Sequence, residues 1–150
     1  MGVIPVNVEV RVATIYKEIP VNAPPDFVWA ALKDVGAVHR RLAQGFVLNT
    51  VLEDGIRTVT FANGFIAREQ IVAVDDEHKR LAYSSVGGRA SHHHAYFQVF
   101  PDAAGRSRVL WVTDLLPDEM RAPIAHMVEQ GSSAIQQTLE QAYKEAPCHS

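Results

Sequence analysis

The last long stretch of this chain, from Asp118 to about Glu145, is the feature that most constrains its fold. Met120, Ile124, Met127, Val128, Ala134, Ile135, Leu139 and Ala142 recur there at three- and four-residue steps, which places them on one stripe of an α-helix. Glu119, His126, Glu129, Gln130, Gln137, Glu140 and Lys144 fall on the other side. At 1.5 Å per residue such a helix is about 40 Å long, far beyond the average globular helix. An apolar stripe of that length needs a large partner. Nearly everything before it reads as β-strand, so the economical partner is one broad antiparallel sheet laid against the stripe.

Two residues interrupt the pattern. Gly131 sits in the middle of the stripe, where it costs roughly 1 kcal/mol of helix propensity. Its missing side chain either leaves room between helix and sheet, or lets the helix bend or a strand come close. Pro123 lies too deep to be the first residue of a helix starting at Asp118. The opening turn is therefore expected to be separate or kinked.

At 150 residues, the chain suits one domain with a substantial core, expected to be ordered over about 9–145. An apolar fraction of 47% and a charged fraction of 21% are ordinary for a soluble globular protein. A net charge of −3 with scattered basic residues gives no electrostatic reason to expect nucleic acid or an anionic membrane as partner. No apolar run approaches the length of a transmembrane span, and no basic region followed by an apolar one opens the chain. A cytoplasmic location is expected. The lone cysteine, Cys148, lies in the tail and makes no internal disulfide, which suits a reducing compartment.

Residues 1–8 carry no turn or helix pattern and read as a loose lead-in. Glu9 to Val21 reads as a long first strand, stopped by Asn22-Ala23-Pro24-Pro25-Asp26. Proline suits a first helical turn, and Phe27, Val28, Ala31 and Leu32 follow at helical spacing beside Trp29, ending near Gly36. A second short helical piece spans Ala37 to Leu42 and carries His39, Arg40 and Arg41. Strand-like runs then occupy 45–53, 56–62, 65–75, 79–87, 90–101 and 107–116. The turn signals between them are Glu53-Asp54-Gly55, Asn63-Gly64, Asp75-Asp76-Glu77, Gly87-Gly88 and Pro101 to Gly105. Short connections of this kind predict an antiparallel meander. A twisted sheet of seven such strands does not close flat on one helix, so a cavity between them is expected.

At this point the chain resembles a START-like protein of the SRPBCC superfamily, the α+β helix-grip fold also seen in the birch-pollen allergen, and within it the polyketide cyclase/dehydrase group. Three stretches carry the resemblance. Val21-Asn22-Ala23-Pro24-Pro25-Asp26-Phe27-Val28-Trp29 matches the family's strand-to-helix junction, and Trp111-Val112-Thr113-Asp114-Leu115-Leu116-Pro117 leads into the last helix. Arg57 to Phe61, Arg68-Glu69 and Asp75-Asp76-Glu77 through Gly87-Gly88 are similar to the plant abscisic-acid receptor branch. None is a catalytic signature, so they speak for fold more than activity. The resemblance implies a seven-stranded curved antiparallel sheet wrapped on the C-terminal helix, with two short helices after the first strand. It also implies that the positions matching Val59, Phe61, Ala67, Glu69, Tyr83, Ser85, Ala95 and Phe97 line a ligand pocket. After Phe61 there is only Ala62-Asn63-Gly64, so the receptors' proline-containing gate loop is missing and hormone signalling is not implied.

Alternation along the strands selects further candidates. Ser91, His93, Ala95, Phe97 and Val99 form one set and His92, His94, Tyr96, Gln98 and Phe100 the other. If the last hairpin pairs symmetrically, Phe97 lies opposite Trp111 and His94 opposite Asp114. The less polar set turns inward. That places His93, Phe97, Trp111 and Thr113 in the hollow, facing Met127, Gly131 and Ile135 of the helix, with His92, His94 and Asp114 outside. Glu69 interrupts the apolar set Phe65, Ala67, Ile71, Ala73. It is either a pocket carboxylate, an exposed residue at a strand edge, or the partner of Arg57. No metal is expected: His92, His94 and Asp114 lie on the outer face with no fourth ligand in view. No cofactor fingerprint, phosphate loop or nucleophile elbow occurs.

Three readings of function follow. The first is a small-molecule binder whose pocket takes an apolar, partly oxygenated ligand such as a polyketide, sterol or aromatic metabolite. The second is an enzyme of the cyclase/dehydratase type, with Glu69, His93 and Tyr83 moving protons. The third is a lipid-carrying or protein-interaction module. His39, Arg40 and Arg41 offer charge to an acidic ligand group or simply to water. A homodimer is left open.

Overall fold

The computed structural model describes residues 13–146 apart from Arg89, Ser91 and Pro117. The lead-in, the strand start at Glu9, Ser91, Pro117 and Cys148 lie outside the described residues. Strand β1 (Ala13–Val21) is followed by helix α1 (Pro25–Lys33) and a single π-helical turn at Val38–Leu42. Strands β2 (Val47–Glu53), β3 (Ile56–Phe61), β4 (Ile66–Asp75), β5 (Arg80–Ser85), β6 (His92–Pro101) and β7 (Ser107–Leu116) come next, and helix α2 (Arg121–Glu145) closes the fold. All seven strands form one sheet in the order β1-β7-β6-β5-β4-β3-β2. The pairs are antiparallel throughout.

Local chemistry explains the joints. Pro24 and Pro25 open α1, where a missing N–H costs nothing. The β2–β3 hairpin turns on Asp54 and Gly55, both at positive φ (55° and 78°), the two-residue geometry that suits strand twist and favours Asp-Gly. The opening of the last helix is separate, as Pro123 requires: a 3₁₀ turn over Asp118–Met120 precedes α2, which starts at Arg121 rather than at Asp118. The second helical piece is π-type rather than α, with Ala43 N–H donating to the Val38 carbonyl at 2.8 Å.

The helix stripe is buried through Val128, Gly131, Ser132, Ile135, Thr138 and Leu139. Helix α2 runs closest along β1 and the π-turn. Its polar flank ties down by Lys17–Glu129 at 3.0 Å and by the Asn22 N–H donating to Glu140 at 2.8 Å. One main core joins Ile19, Val28, Trp29, Leu32, Leu81, Phe97, Val109, Ile135 and Leu139. The Trp29 indole also donates to Asp76 at 2.8 Å, and Lys33 pairs with the same carboxylate at 3.2 Å, fixing α1 to the β4–β5 turn. Toward the β3–β5 side, space remains between sheet and helix.

Leu139 is 0% exposed in that core. Leu139→Ala is expected to lower the unfolding free energy by about 2–5 kcal/mol, whereas Gln137→Ala on the exposed face should change it by no more than about 0.5 kcal/mol. Denaturant titration of the two variants distinguishes a gripped helix from a loosely docked one.

Candidate functional site: a hollow between sheet and helix

The concave face of the sheet carries aromatic rings in two runs. Phe65 stacks on Phe61 at 5.8 Å between centroids, and Phe61 meets Phe46 edge-on at 5.2 Å. Tyr83 stacks on Phe97 at 6.2 Å and Phe97 on Trp111 at 4.6 Å. The runs converge on α2 at Gly131. A methyl group placed there would sit 3.1 Å from the Phe46 ring and 3.2 Å from the Trp111 ring, closer than ordinary contact. The room left by the missing side chain is thus filled by two rings, and Gly131 is a close-approach glycine rather than an opening.

These rings divide the hollow. An outer chamber of about 110 Å³ is bounded by Phe65, Ala67, Ser85, His93, Thr113 and Met127, with Gly87, Gly88 and Ala90 at one end and Met120, Ile124 and Val128 on the helix side. An inner chamber of about 50 Å³ lies behind it, bounded by Val38, Leu42, Ala43, Val47, Arg57, Val59, Phe97, Gly131 and Ile135. Phe46, Phe61, Glu69, Tyr83 and Trp111 face both. Of the residues expected from the sequence to face the hollow, all but one line one of these chambers. The exception is Ala95, which is 1% exposed and packed into the core beneath them. A methyl side chain on β6 is too short to reach past Tyr83 and Phe97.

Strand register lays a polar row across the apolar concave face. Arg57 on β3 is directly opposite Glu69 on β4, and Glu69 is opposite Ser85 on β5. The Ser85 hydroxyl lies 3.3 Å from His93 Nδ1 on β6. Arg57 Nε donates to Glu69 Oε1 at 2.7 Å, with the two side chains 4% and 13% exposed. Of the environments open to Glu69, ion pairing is the one adopted, and the carboxylate also faces both chambers. The guanidinium lies 4.9 Å from the centre of the Tyr83 ring, a cation–π contact in a desolvated setting. The Trp111 indole N–H donates to the Tyr83 hydroxyl at 3.2 Å. Burial, reinforced by the Glu69 charge, pushes the Tyr83 hydroxyl well above its ordinary range, so it stays protonated. Burial is also the main reason the His93 imidazole titrates below its ordinary value of 6.5, against the opposing pull of Glu69. The hollow therefore holds a neutral imidazole, a phenol, two smaller hydroxyls and a paired carboxylate.

On the outer face, His94 Nδ1 is 2.9 Å from the Ser84 hydroxyl, and Asp114 accepts from Thr14 at 2.8 Å. His94 is opposite Asp114 in register, and His92 stands 6.4 Å from His94 between ring centres. No cleft among those described includes these residues, and no group of three or more His, Cys, Asp or Glu among the described residues is spaced to hold a metal ion. Arg41 pairs with Asp34 at 2.9 Å, and none of His39, Arg40 and Arg41 lines either chamber.

Fold and hollow together define a helix-grip protein built to hold a ligand between its sheet and its last helix. The model of the family described as polyketide cyclase / dehydrase and lipid transport matches residues 12–145, and the chain belongs to that family. No match is found among the curated proteins. Among solved structures, the XoxI protein of Bacillus cereus is similar at a TM-score of 0.76 and 17% identity, covering 91% of this chain and 99% of that one. Norcoclaurine synthase of Thalictrum flavum, solved with dopamine and hydroxybenzaldehyde, is similar at a TM-score of 0.71 and 18% identity, covering 99% of this chain and 97% of that one. At such identities the likeness establishes the fold alone. No helix among the described residues is long and apolar enough to cross a membrane.

Among the residues not foreseen as lining the hollow are Phe65, Gly87, Gly88 and Ala90 of the outer chamber and Val38, Leu42, Ala43, Val47 and Arg57 of the inner one, and two further kinds are instructive. Met120, Ile124 and Val128 belong to the helix stripe and were legible as buried but not as facing a void. Phe46 was expected inside a strand over 45–53, whereas β2 starts at Val47 and Phe46 lies in the connection before it, where strand alternation does not orient a side chain.

Two measurements probe this arrangement. Arg57→Met should cost about 3–5 kcal/mol because it strands a buried carboxylate, while Arg57→Met with Glu69→Met should recover most of that loss; urea unfolding of both variants checks it. In NMR titrations, His93 should change charge below pH 6.5 and His78, hydrogen-bonded to Asp75 at 2.8 Å, above it. Below 6.5 the unfolded chain takes up the His93 proton before the folded one does, so this group costs stability as the pH falls toward its lowered value. His93→Gln should flatten that part of the stability profile.

Proposed function

We propose that the protein binds a small, mostly apolar and partly oxygenated molecule in the outer chamber. The observation that carries this reading is the lining itself: apolar walls from Phe61, Phe65, Trp111, Ile124 and Met127, crossed by one polar row. Binding sites for small ligands combine such walls with a few polar groups that fix orientation. A cavity of about 150 Å³ holds benzene. The outer chamber of about 110 Å³ falls short of that by itself, so a single ring fits by drawing on the adjoining inner chamber of about 50 Å³ or by leaving part of itself outside. Norcoclaurine synthase, whose structure carries ring-sized molecules, supports the same scale. A lipid with long acyl chains would need a wider opening. A cytoplasmic setting and a homodimer remain part of this proposal, which does not depend on them.

A second reading is an enzyme of the cyclase/dehydratase type, and one observation favours it: Glu69, Tyr83 and His93 all face the outer chamber. Within it His93 is the better proton acceptor, since its imidazole is neutral, whereas Glu69 is engaged by Arg57 and the Tyr83 phenol holds its proton. Turnover of a candidate substrate that His93→Gln abolishes without weakening its binding would favour this reading.

The binding proposal is tested by titrating toluene into the protein and following amide and indole NMR shifts, with Ala67→Phe as the filled-chamber variant. Shifts clustered at Phe61, Ala67, Trp111 and Thr113, lost in Ala67→Phe with the fold intact, are expected. Toluene that shifts only surface resonances, together with no retained molecule in native mass spectrometry of fresh protein, would overturn it.

A further inference from the structure

We infer that the outer chamber selects a neutral hydroxyl group on a ring-sized apolar body, because Arg57 neutralises Glu69 from behind and leaves the carboxylate as an acceptor without net charge to offer. This inference rests on the binding proposal and adds the chemical class of the ligand's polar end.

The geometry carries it in three steps. Glu69 is, among the described residues, the only charged side chain lining the outer chamber. Arg57 lines only the inner chamber, so a ligand in the outer one meets the acceptor side of the pair and not the guanidinium. One carboxylate oxygen is taken by Arg57 at 2.7 Å, and a carboxylate has further acceptor sites for a second donor.

Charge then decides between donors. The Arg57–Glu69 pair sums to zero in a site whose members are almost fully buried. An ammonium entering it would bring a positive charge into a poorly solvated space with no uncompensated negative partner, a transfer that is strongly penalised. A carboxylate ligand would approach Glu69 with like charge. An alcohol or phenol hydroxyl donates to the carboxylate without adding charge, and hydrogen bonds to charged acceptors are the strong ones. A wholly apolar ring would offer no donor to the acceptor sites of Glu69 that Arg57 leaves open. In this scheme Arg57 is a positioning residue that sets charge preference without touching the ligand.

The test compares phenol, toluene, benzylamine and benzoate by NMR titration at pH 7.5 on the full chain. Phenol is expected to bind about tenfold more tightly than toluene, and more tightly still than either charged ring. In Glu69→Gln the advantage of phenol over toluene should shrink to about twofold or less. In Arg57→Met the order of phenol and benzylamine should reverse, an effect that loss of packing alone would not produce. The wild-type ranking of the four rings decides the matter even if neither single variant folds. Toluene binding as tightly as phenol in the chamber would sink the hydroxyl preference while leaving the binding proposal standing. Benzylamine or benzoate outranking phenol in the wild type would do the same. If none of the four rings shifts a chamber resonance, the hydroxyl preference falls, and the binding proposal falls with it when native mass spectrometry of fresh protein also shows no retained molecule.

Discussion

How closely two aromatic rings can approach the long helix governs the rest of this structure. Phe46 and Trp111 rest where a side chain at Gly131 would stand, so at that point the helix meets the sheet through rings, while Val128, Ile135 and Leu139 pack among aliphatic side chains such as Ile15 and Ile19. A larger residue would have to push the rings back or lift the helix, because packed interiors have little free volume to absorb even one methyl. The glycine costs helix propensity. In return the two aromatic runs can meet the helix and leave hollow space on either side of their junction.

Within that frame, the polar row is a product of register. Arg57, Glu69 and Ser85 are directly paired across β3, β4 and β5, and a slip of one residue on any of these strands would send its member to the outer face. The same pleat puts Ser84 and His94 on the convex side with Asp114 and Thr14. One face thus carries polarity into a void and the other presents it to solvent. This difference separates the His93 environment from that of His94, its chain neighbour.

Much of this was readable from the residues. The helix stripe, the turn signals and the strand alternation are all periodic, and the last hairpin pairs Phe97 with Trp111 and His94 with Asp114 as symmetric closure requires. The helix-grip fold follows from those elements. What periodicity cannot carry is depth. Ala95 points inward like Phe97 yet stops short of the chambers, and Phe46, expected within a strand, reaches them from the connection before β2. The Arg57–Glu69 pair needed the β3–β4 register before pairing could be preferred over exposure. The division into two chambers was illegible for the same reason, since it depends on how individual rings fill the space above Gly131.

The buried ion pair also bears on how such a hollow can drift over generations. Ring and aliphatic positions around it tolerate exchange one at a time where volume is kept, since such swaps cost little. Arg57 and Glu69 cannot be altered singly without stranding a charge. The walls are therefore free to wander toward new shapes by single steps, while the polar floor can be rewritten only by two coordinated changes. Descendants of one ancestor would then differ in the outline of the hollow well before they differ in its polar floor.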